Sequence, residues 1–198
     1  MNILSIDFDW IMEPSIEAYN YFIREDPLGP SQSWERIFEL IPNLNIDYDL
    51  NKYKTLFFVL KQVANNIHRD NIYVGYQHHE LYYFLKDVSP EEPITIYNID
   101  HHHDLGYPEN DNTKLNIGNW VTYINKEKKL QNYTWIRNKN SSLNDLNYNN
   151  LNQFYHTTDI NIIDTVRFDK IFICASWEWV PLKYKPLFEI LVSAIDKN

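Results

Sequence analysis

Residues 94–104 read ITIYNIDHHHD: an apolar, β-branched run from Ile94 to Ile99 that passes without a break into Asp100-His101-His102-His103-Asp104. Such a run, bounded by polar residues, is a strand signal. Three adjacent histidines flanked by aspartates are hard to explain by packing. Working outward, two more predicted strands end the same way. Asn2 to Phe8 (NILSIDF) closes on Asp7 and Asp9, and Asn71 to Val74 (NIYV) is followed within five residues by His78 and His79. Lys170 to Ala175 (KIFICA) is a continuous apolar run of buried-strand type, and Tyr133 to Ile136 is a weaker one. Between them lie helical patterns. Leu50 to Ile67 carries Tyr53, Leu56, Phe57, Leu60, Val63, Ala64 and Ile67 near i, i+3, i+4 spacing. Leu81 to Leu85, Asn119 to Lys128 and Leu182 to Ile195 supply further helices. The alternation of strand and helix predicts an α/β domain with a mostly parallel sheet.

In open α/β sheets, sites form where loops converge at the carboxyl ends of the strands. The sequence thus directs four carboxylates and several imidazoles to one edge of one sheet. If the chain stays extended, Asp7 and Asp9 share a side, as do Asp100, His102 and Asp104, because residues two apart point the same way. Carboxylates so crowded repel one another, and something positive must hold them. A pair of divalent cations is the natural answer, and oxygen-rich ligands with one or two imidazoles suit manganese. His101 and His103 are expected to face away. The bland alternatives are that Asp7 and Asp9 cap a turn and that His78 is an ordinary surface or core histidine. Ser176-Trp177-Glu178-Trp179-Val180-Pro181 follows the most apolar strand. Glu178 between two tryptophans is either a receptor for a planar cation such as guanidinium or a glutamate paired with Lys183 or Lys185.

The rest of the composition narrows the field. With 198 residues, one domain is expected, and 44% hydrophobic residues argue against wholesale disorder. A net charge of −9, from 27 acids and 18 bases, argues against a nucleic-acid partner. One cysteine, Cys174, excludes an internal disulfide framework and fits a reducing cytoplasm. No apolar run reaches the roughly 20 residues that span a bilayer, and Met1 to Trp10 lacks the basic region of a signal peptide. Four glycines without a Gly-rich phosphate loop leave no nucleotide fingerprint. Asp26 to Ser33 (DPLGPSQS) reads as a loop, and Asn138 to Asn152, rich in Asn and Ser, as an irregular excursion.

These motifs together resemble the arginase–deacetylase superfamily, specifically the ureohydrolases. Asp100, His102 and Asp104 match the family's Asp-x-His-x-Asp. Gly75-Tyr76-Gln77-His78 resembles its Gly-Gly-Asp-His, with His79 as the competitor for the imidazole ligand. Ser5-Ile6-Asp7-Phe8-Asp9 followed by Pro14 resembles its Ser-x-Asp-x-Asp segment. Trp177-Glu178-Trp179-Val180-Pro181 resembles the segment whose glutamate binds the substrate guanidinium. The resemblance implies a single three-layer arginase-like domain over 1–198. Its strand order is permuted, because the Asp-x-Asp segment here opens the chain. It implies two manganese ions held by Asp7, Asp9, His78, Asp100, His102 and Asp104, catalytic roles for Asp104 and Glu178, and substrate contacts from Glu178, His79 and Asn119.

The N-terminal aspartate pair and His78-His79-Glu80 look like the atypical members of that family, the peptide arginases. The resemblance then implies a cytoplasmic enzyme of ribosomal-peptide maturation that converts arginine side chains of a precursor peptide to ornithine and urea. The family's proton-shuttling histidine is missing: the stretch is Gly118-Asn119-Trp120-Val121. His156, His103 or metal-bound water acting through Asp104 would then have to protonate the leaving group. Two other readings stand beside this one: a metal-dependent phosphoesterase or phosphatase, which Asp7-Phe8-Asp9 and Asp100-His101-His102 also resemble in part, and a non-catalytic, metal-stabilised peptide-binding module.

Overall fold

The computed structural model describes residues 1–14, 30–107, 111–144, 146 and 153–195. Its strands are β1 (Asn2–Asp7), β2 (Met12–Pro14), β3 (Ile46–Tyr48), β4 (Ile72–Gly75), β5 (Ile94–Asp100), β6 (Leu130–Arg137), β7 (Phe154–Thr157) and β8 (Lys170–Cys174). Six of them form one sheet in the order β4-β8-β1-β5-β6-β7, and every pairing in it is parallel. β2 and β3 form a separate antiparallel pair. The α-helices are α1 (Pro30–Leu40), α2 (Leu50–Ala64), α3 (Glu80–Phe84), α4 (Trp120–Glu127) and α5 (Lys185–Val192).

Period-two alternation sends successive strand residues to opposite faces, and two apolar cores result. Leu4, Ile6, Ile171 and Ile173 face Leu56 and Leu60 of α2, Trp34 of α1 and Phe188 of α5. Ile3, Ile94, Ile96, Phe172 and Cys174 face Leu81 of α3 and Trp120, Val121 and Ile124 of α4. The sheet is therefore the middle of three layers, buried on both faces, and its strands read as near-continuous apolar runs for that reason. From β1 the chain crosses one face through α1 and α2 to reach β4; from β5 it crosses the other through α4 to reach β6. The strand order reverses beside β1, which is where an open α/β sheet leaves a crevice at the carboxyl ends. Among the described residues no helix is long and apolar enough to cross a membrane.

Element boundaries moved where local chemistry outweighed hydrophobic pattern. Asp49 accepts hydrogen bonds from the Asn51 and Lys52 backbone N–H groups (2.8 and 3.2 Å) and starts α2 as expected, but the helix stops at Ala64, before Ile67. The expected loop at Asp26 to Ser33 is helical from Pro30, while residues 26–29 lie outside the described residues. A proline suits a first helical turn, whose N–H groups lack partners anyway. The expected helix from Leu182 to Ile195 is α5 with a 3-10 turn on each side, Leu182–Tyr184 and Ser193–Ile195; Pro186 sits in its first turn and sets the start. β7 was not legible: it has four residues, lies at the sheet edge and follows the Asn-rich excursion, whose residues 145 and 147–152 are also outside the described set.

Candidate metal centre

Register puts the first two acids side by side. Ile6 of β1 lies opposite Ile99 of β5, so Asp7 and Asp100 follow next to each other at the carboxyl ends of the two central strands. Beyond them the expected extended alternation fails. Asp7 instead caps a 3-10 turn, Phe8–Ile11, by accepting the Asp9 N–H at 3.1 Å. Asp100 accepts the His102 N–H at 2.7 Å, and Asp104 enters at φ 54°, a left-handed conformation that Asp tolerates better than most residues. Tight turns, not a continued strand, bring the six side chains to one place.

Three carboxylates converge on one imidazole. His78 Nδ1 lies 3.0 Å from Asp7 Oδ2, 3.1 Å from Asp100 Oδ2 and 3.0 Å from Asp104 Oδ2. Beside it, His102 Nδ1 lies 2.8 Å from Asp9 Oδ2 and 3.9 Å from Asp100 Oδ1. Donor atoms of Asp7, His78 and Asp100 fall within 4.8 Å of one another, and so do those of Asp9, Asp100 and His102. Asp100 belongs to both groups. His78 Nδ1 and Asp9 Oδ2 are buried yet satisfy no hydrogen-bond geometry. Buried polar atoms are normally paired; a set of oxygens and imidazole nitrogens that meet without pairing fits divalent cations. The donor chemistry suits the group, and Asp7, His78, Asp100 and Asp104 on one side, with Asp9, Asp100 and His102 on the other, are the residues that would hold it.

The surrounding layer fixes these side chains. Ser5 Oγ lies 2.7 Å from His78 Nε2, leaving Nδ1 turned to the acids. The His78 ring stacks on Phe172, with centroids 5.8 Å apart, and lies against Trp120 at 4.7 Å. Ser176, itself at φ 52°, reaches Asp7 Oδ2 through its hydroxyl at 3.0 Å. The Trp120 indole N–H donates to Asp104 Oδ2, and Asn98 Nδ2 donates to Asp100 Oδ2 at 2.9 Å. Sequence reading missed Asn98, Trp120 and Ser176 as supports. The signal for Ser5 was present, since it sits two residues before Asp7 in the same strand and so on the same face. Removing such a support typically costs ten- to a hundredfold in metal affinity. We expect Ser5→Ala to weaken metal binding by about tenfold while the fold persists, measured by competition with a chromogenic chelator; unchanged affinity would show that Ser5 does not orient His78.

Electrostatics follow from burial and crowding. Burial pushes the Asp7 carboxyl up, with Asp100 adding to it, and pushes Asp9 well up, with Asp7 adding to it. Asp104 is raised to about 7 by burial and by Asp100. Burial also opposes the charge on Asp100, but His78 and His102 outweigh it and hold that carboxyl below the usual range. Both imidazoles keep their protons against burial: Asp100 and its neighbours raise His78 well above its ordinary value, and Asp9 helps raise His102 to about 9. In the metal-free protein, protons thus stand in for the missing positive charge.

The remaining predicted residues separate. His78, not His79, meets the acids; the His79 ring lies 6.1 Å from Tyr83 at the start of α3. Asn119 is buried, with its side chain bound within its own loop, accepting from Asn116 N–H (2.8 Å) and donating to Lys114 O (2.8 Å). His101 and His103 are buried, and burial lowers them to about 3 and about 4. His156, on β7, packs near Trp135 with centroids 6.3 Å apart. Glu178 is buried, accepts from Gln77 Nε2 at 2.6 Å and is raised by burial. Neither lysine named as its partner takes that role: Lys185 reaches Glu189, and Lys183 lies over the Phe38 and Tyr184 rings. Among the described residues Glu178 has no cationic partner. Next to it in the chain, Trp179 packs on His102 at 4.4 Å.

No protein-family model matches the chain. No curated protein and no solved structure matches it significantly. The site's chemistry therefore rests on the cluster itself. A cleft of about 390 Å³ lined by Val59, Val63, Ile163 and Phe168 lies apart from it, toward the amino end of β8, and contains none of the clustered acids.

Proposed function

We propose that this chain is a metal-dependent hydrolase of the ureohydrolase type. It would act on the guanidino group of arginine side chains in a ribosomally made precursor peptide, giving ornithine and urea. The observation that carries the reading is the meeting of Asp7, Asp9, His78, Asp100, His102 and Asp104 in two donor groups that share Asp100. The three-layer architecture supports it. So does the central place of β1, which sets its aspartate pair beside Asp100 of β5. When bound, two manganese ions would supply Lewis acidity and a water acidified toward neutral pKa.

The chain's own residues do the rest. Glu178, a buried carboxylate with no cationic partner among the described residues, offers a planar guanidinium two acceptor oxygens, and Gln77 fixes one of them. Trp177 and Trp179 flank that carboxylate in sequence; Trp179 also shields His102. Exclusion of water here strengthens every charge contact. Leaving-group protonation does not use the family's histidine position, which is occupied by Val121 after Gly118-Asn119-Trp120.

The test is to incubate manganese-loaded protein with arginine and with arginine-containing peptides, and to follow urea release and the loss of one CH2N2 unit by mass spectrometry. Failure with every substrate at full metal content would remove the hydrolase reading. Phosphate release from phosphomonoesters would favour a phosphatase, and neither product would favour a binding module. Glu178→Ala is expected to lower turnover by roughly a hundredfold or more, the usual scale for stripping one partner from a buried charge pair, with metal content retained. Loss of metal in that variant would contradict the role given to Glu178.

A further inference from the structure

The loop between β4 and α3 carries two side chains of the site. His78 meets the three carboxylates, and Gln77 Nε2 donates to Glu178 Oε1 at 2.6 Å. Residues 76–79 belong to no helix or strand, so their backbone N–H groups need partners from elsewhere. One carboxylate supplies them. Glu80 Oε1 accepts the Tyr76 N–H at 2.9 Å and the Gln77 N–H at 2.8 Å, and Glu80 Oε2 accepts the Tyr73 hydroxyl at 3.1 Å. Gly75 makes room for this carboxylate: a Cβ there would meet Glu80 Oε2 at 3.0 Å and the Phe172 ring at 3.2 Å. The other side of the loop is laced to the turn that carries Glu178, because Ala175 N–H donates to Gly75 O at 3.0 Å and Ser176 N–H to Tyr76 O at 3.1 Å.

Tyr73 gives the same carboxylate a second route to the metal centre. Its ring stacks on Phe84, with centroids 5.4 Å apart, and on Phe172 at 5.8 Å and 7° between planes. Phe172 in turn stacks on His78 at 5.8 Å and 5°. A column of rings thus runs from Phe84 through Tyr73 and Phe172 to His78, and Glu80 holds one of them by its hydroxyl. Hydrogen bonds to an ionised acceptor are the strong ones. Glu80 itself stands outside both donor groups of the metal centre.

We propose that Glu80 is a positioning residue that couples the metal centre to the guanidinium receptor. It fixes His78 on one branch of the loop and Gln77, and through it Glu178, on the other. The receptor half rests on the guanidine reading above and deepens it; the His78 half stands without that reading.

Two affinities test it in the unaltered protein, Glu80→Ala and Glu80→Gln: manganese by chelator competition, and end-blocked Ala-Arg-Ala by tryptophan fluorescence at saturating manganese. We expect Glu80→Ala to weaken both by about tenfold, the scale on which lost support of a ligand and lost hydrogen bonds to a charged group act. Glu80→Gln, whose amide oxygen still accepts both N–H groups, should restore most of each. A double-mutant cycle with Gln77→Ala separates positioning from a general loosening of the fold. In that background the effect of Glu80→Ala on the peptide should largely disappear, whereas its effect on manganese should be the same. Circular dichroism and thermal melting check each variant. If Glu80→Ala does not fold, Glu80→Asp, charged but one methylene shorter, takes its place with the same expectation. Unchanged affinities in Glu80→Ala overturn the proposal. Equal losses in Glu80→Ala and Glu80→Gln overturn it too, by assigning the effect to charge rather than to the hydrogen-bonded cap. A peptide effect undiminished in Gln77→Ala overturns the route to Glu178. If the unaltered protein binds manganese but no peptide, the guanidine reading and the receptor half fail together, and the manganese affinities alone uphold or overturn the His78 half.

Discussion

Asp100→Ala is expected to abolish metal binding at the candidate centre. Asp100 is the one carboxylate common to both donor groups, with Oδ2 at 3.1 Å from His78 Nδ1 and Oδ1 at 3.9 Å from His102 Nδ1. Oδ1 also accepts the His102 N–H at 2.7 Å, so truncation frees the turn that presents His102 as well as deleting a shared ligand. Asp9→Ala is the comparison, because Asp9 belongs to one group only. Elemental analysis after dialysis should find the metal content of Asp9→Ala reduced by about half and that of Asp100→Ala reduced at least tenfold, the scale on which loss of ligand support acts. Full metal content in Asp100→Ala would mean that the cations, if bound, sit elsewhere.

The second large effect is on pH. His102 keeps its proton up to about 9, against an ordinary value of 6.5, because Asp9 and Asp100 override burial. A histidine raised on folding contributes stability that is complete below about pH 6.5 and lost on the way to 9. Asp104, raised by burial from 3.8 to about 7, acts in the same direction: the folded protein holds that proton more tightly, so stability falls as pH rises from 3.8 to 7. The metal-free protein should therefore melt at progressively lower temperature from pH 6 to pH 9. Metal binding runs the other way, since ligands must shed protons first. Each displaced proton raises apparent affinity about tenfold per pH unit, so at least a hundredfold gain is expected between pH 6 and pH 8. Calorimetric scans and chelator competition across that range measure both slopes, and a pH-independent affinity would show that protons do not occupy the centre.

Much of the centre was legible because its residues end strands. Apolar runs closing on Asp7, Asp100 and Gly75 locate strand termini, and a parallel sheet gathers those termini at one edge. What the sequence did not show is how the side chains turn inward. Period-two alternation suggested that Asp9, His102 and Asp104 continue their strands, whereas a 3-10 turn and a left-handed residue place them. Such turns depend on side-chain acceptors two residues back, which hydrophobic pattern does not register. The choice between His78 and His79 was open in sequence for the same reason: no periodicity governs the four residues between Gly75 and α3, and the stack on Phe172 decides it. Glu178 could equally have paired with a lysine, and only the packing of Lys183 over aromatic rings and the reach of Lys185 to Glu189 settle that neither does. The small strands β2, β3 and β7 were missed because three or four residues carry too little pattern to stand out from a polar background.

The strand order sets a timetable. β8 lies between β4 and β1, so the segment that leads into His78 has no neighbour in the sheet until residues 170–174 join it. A chain emerging from the ribosome would present every proposed ligand, from Asp7 to Asp104, well before the strand that seats His78 exists. Cation capture at the proposed centre would then wait for β8, the last strand of the sheet among the described residues.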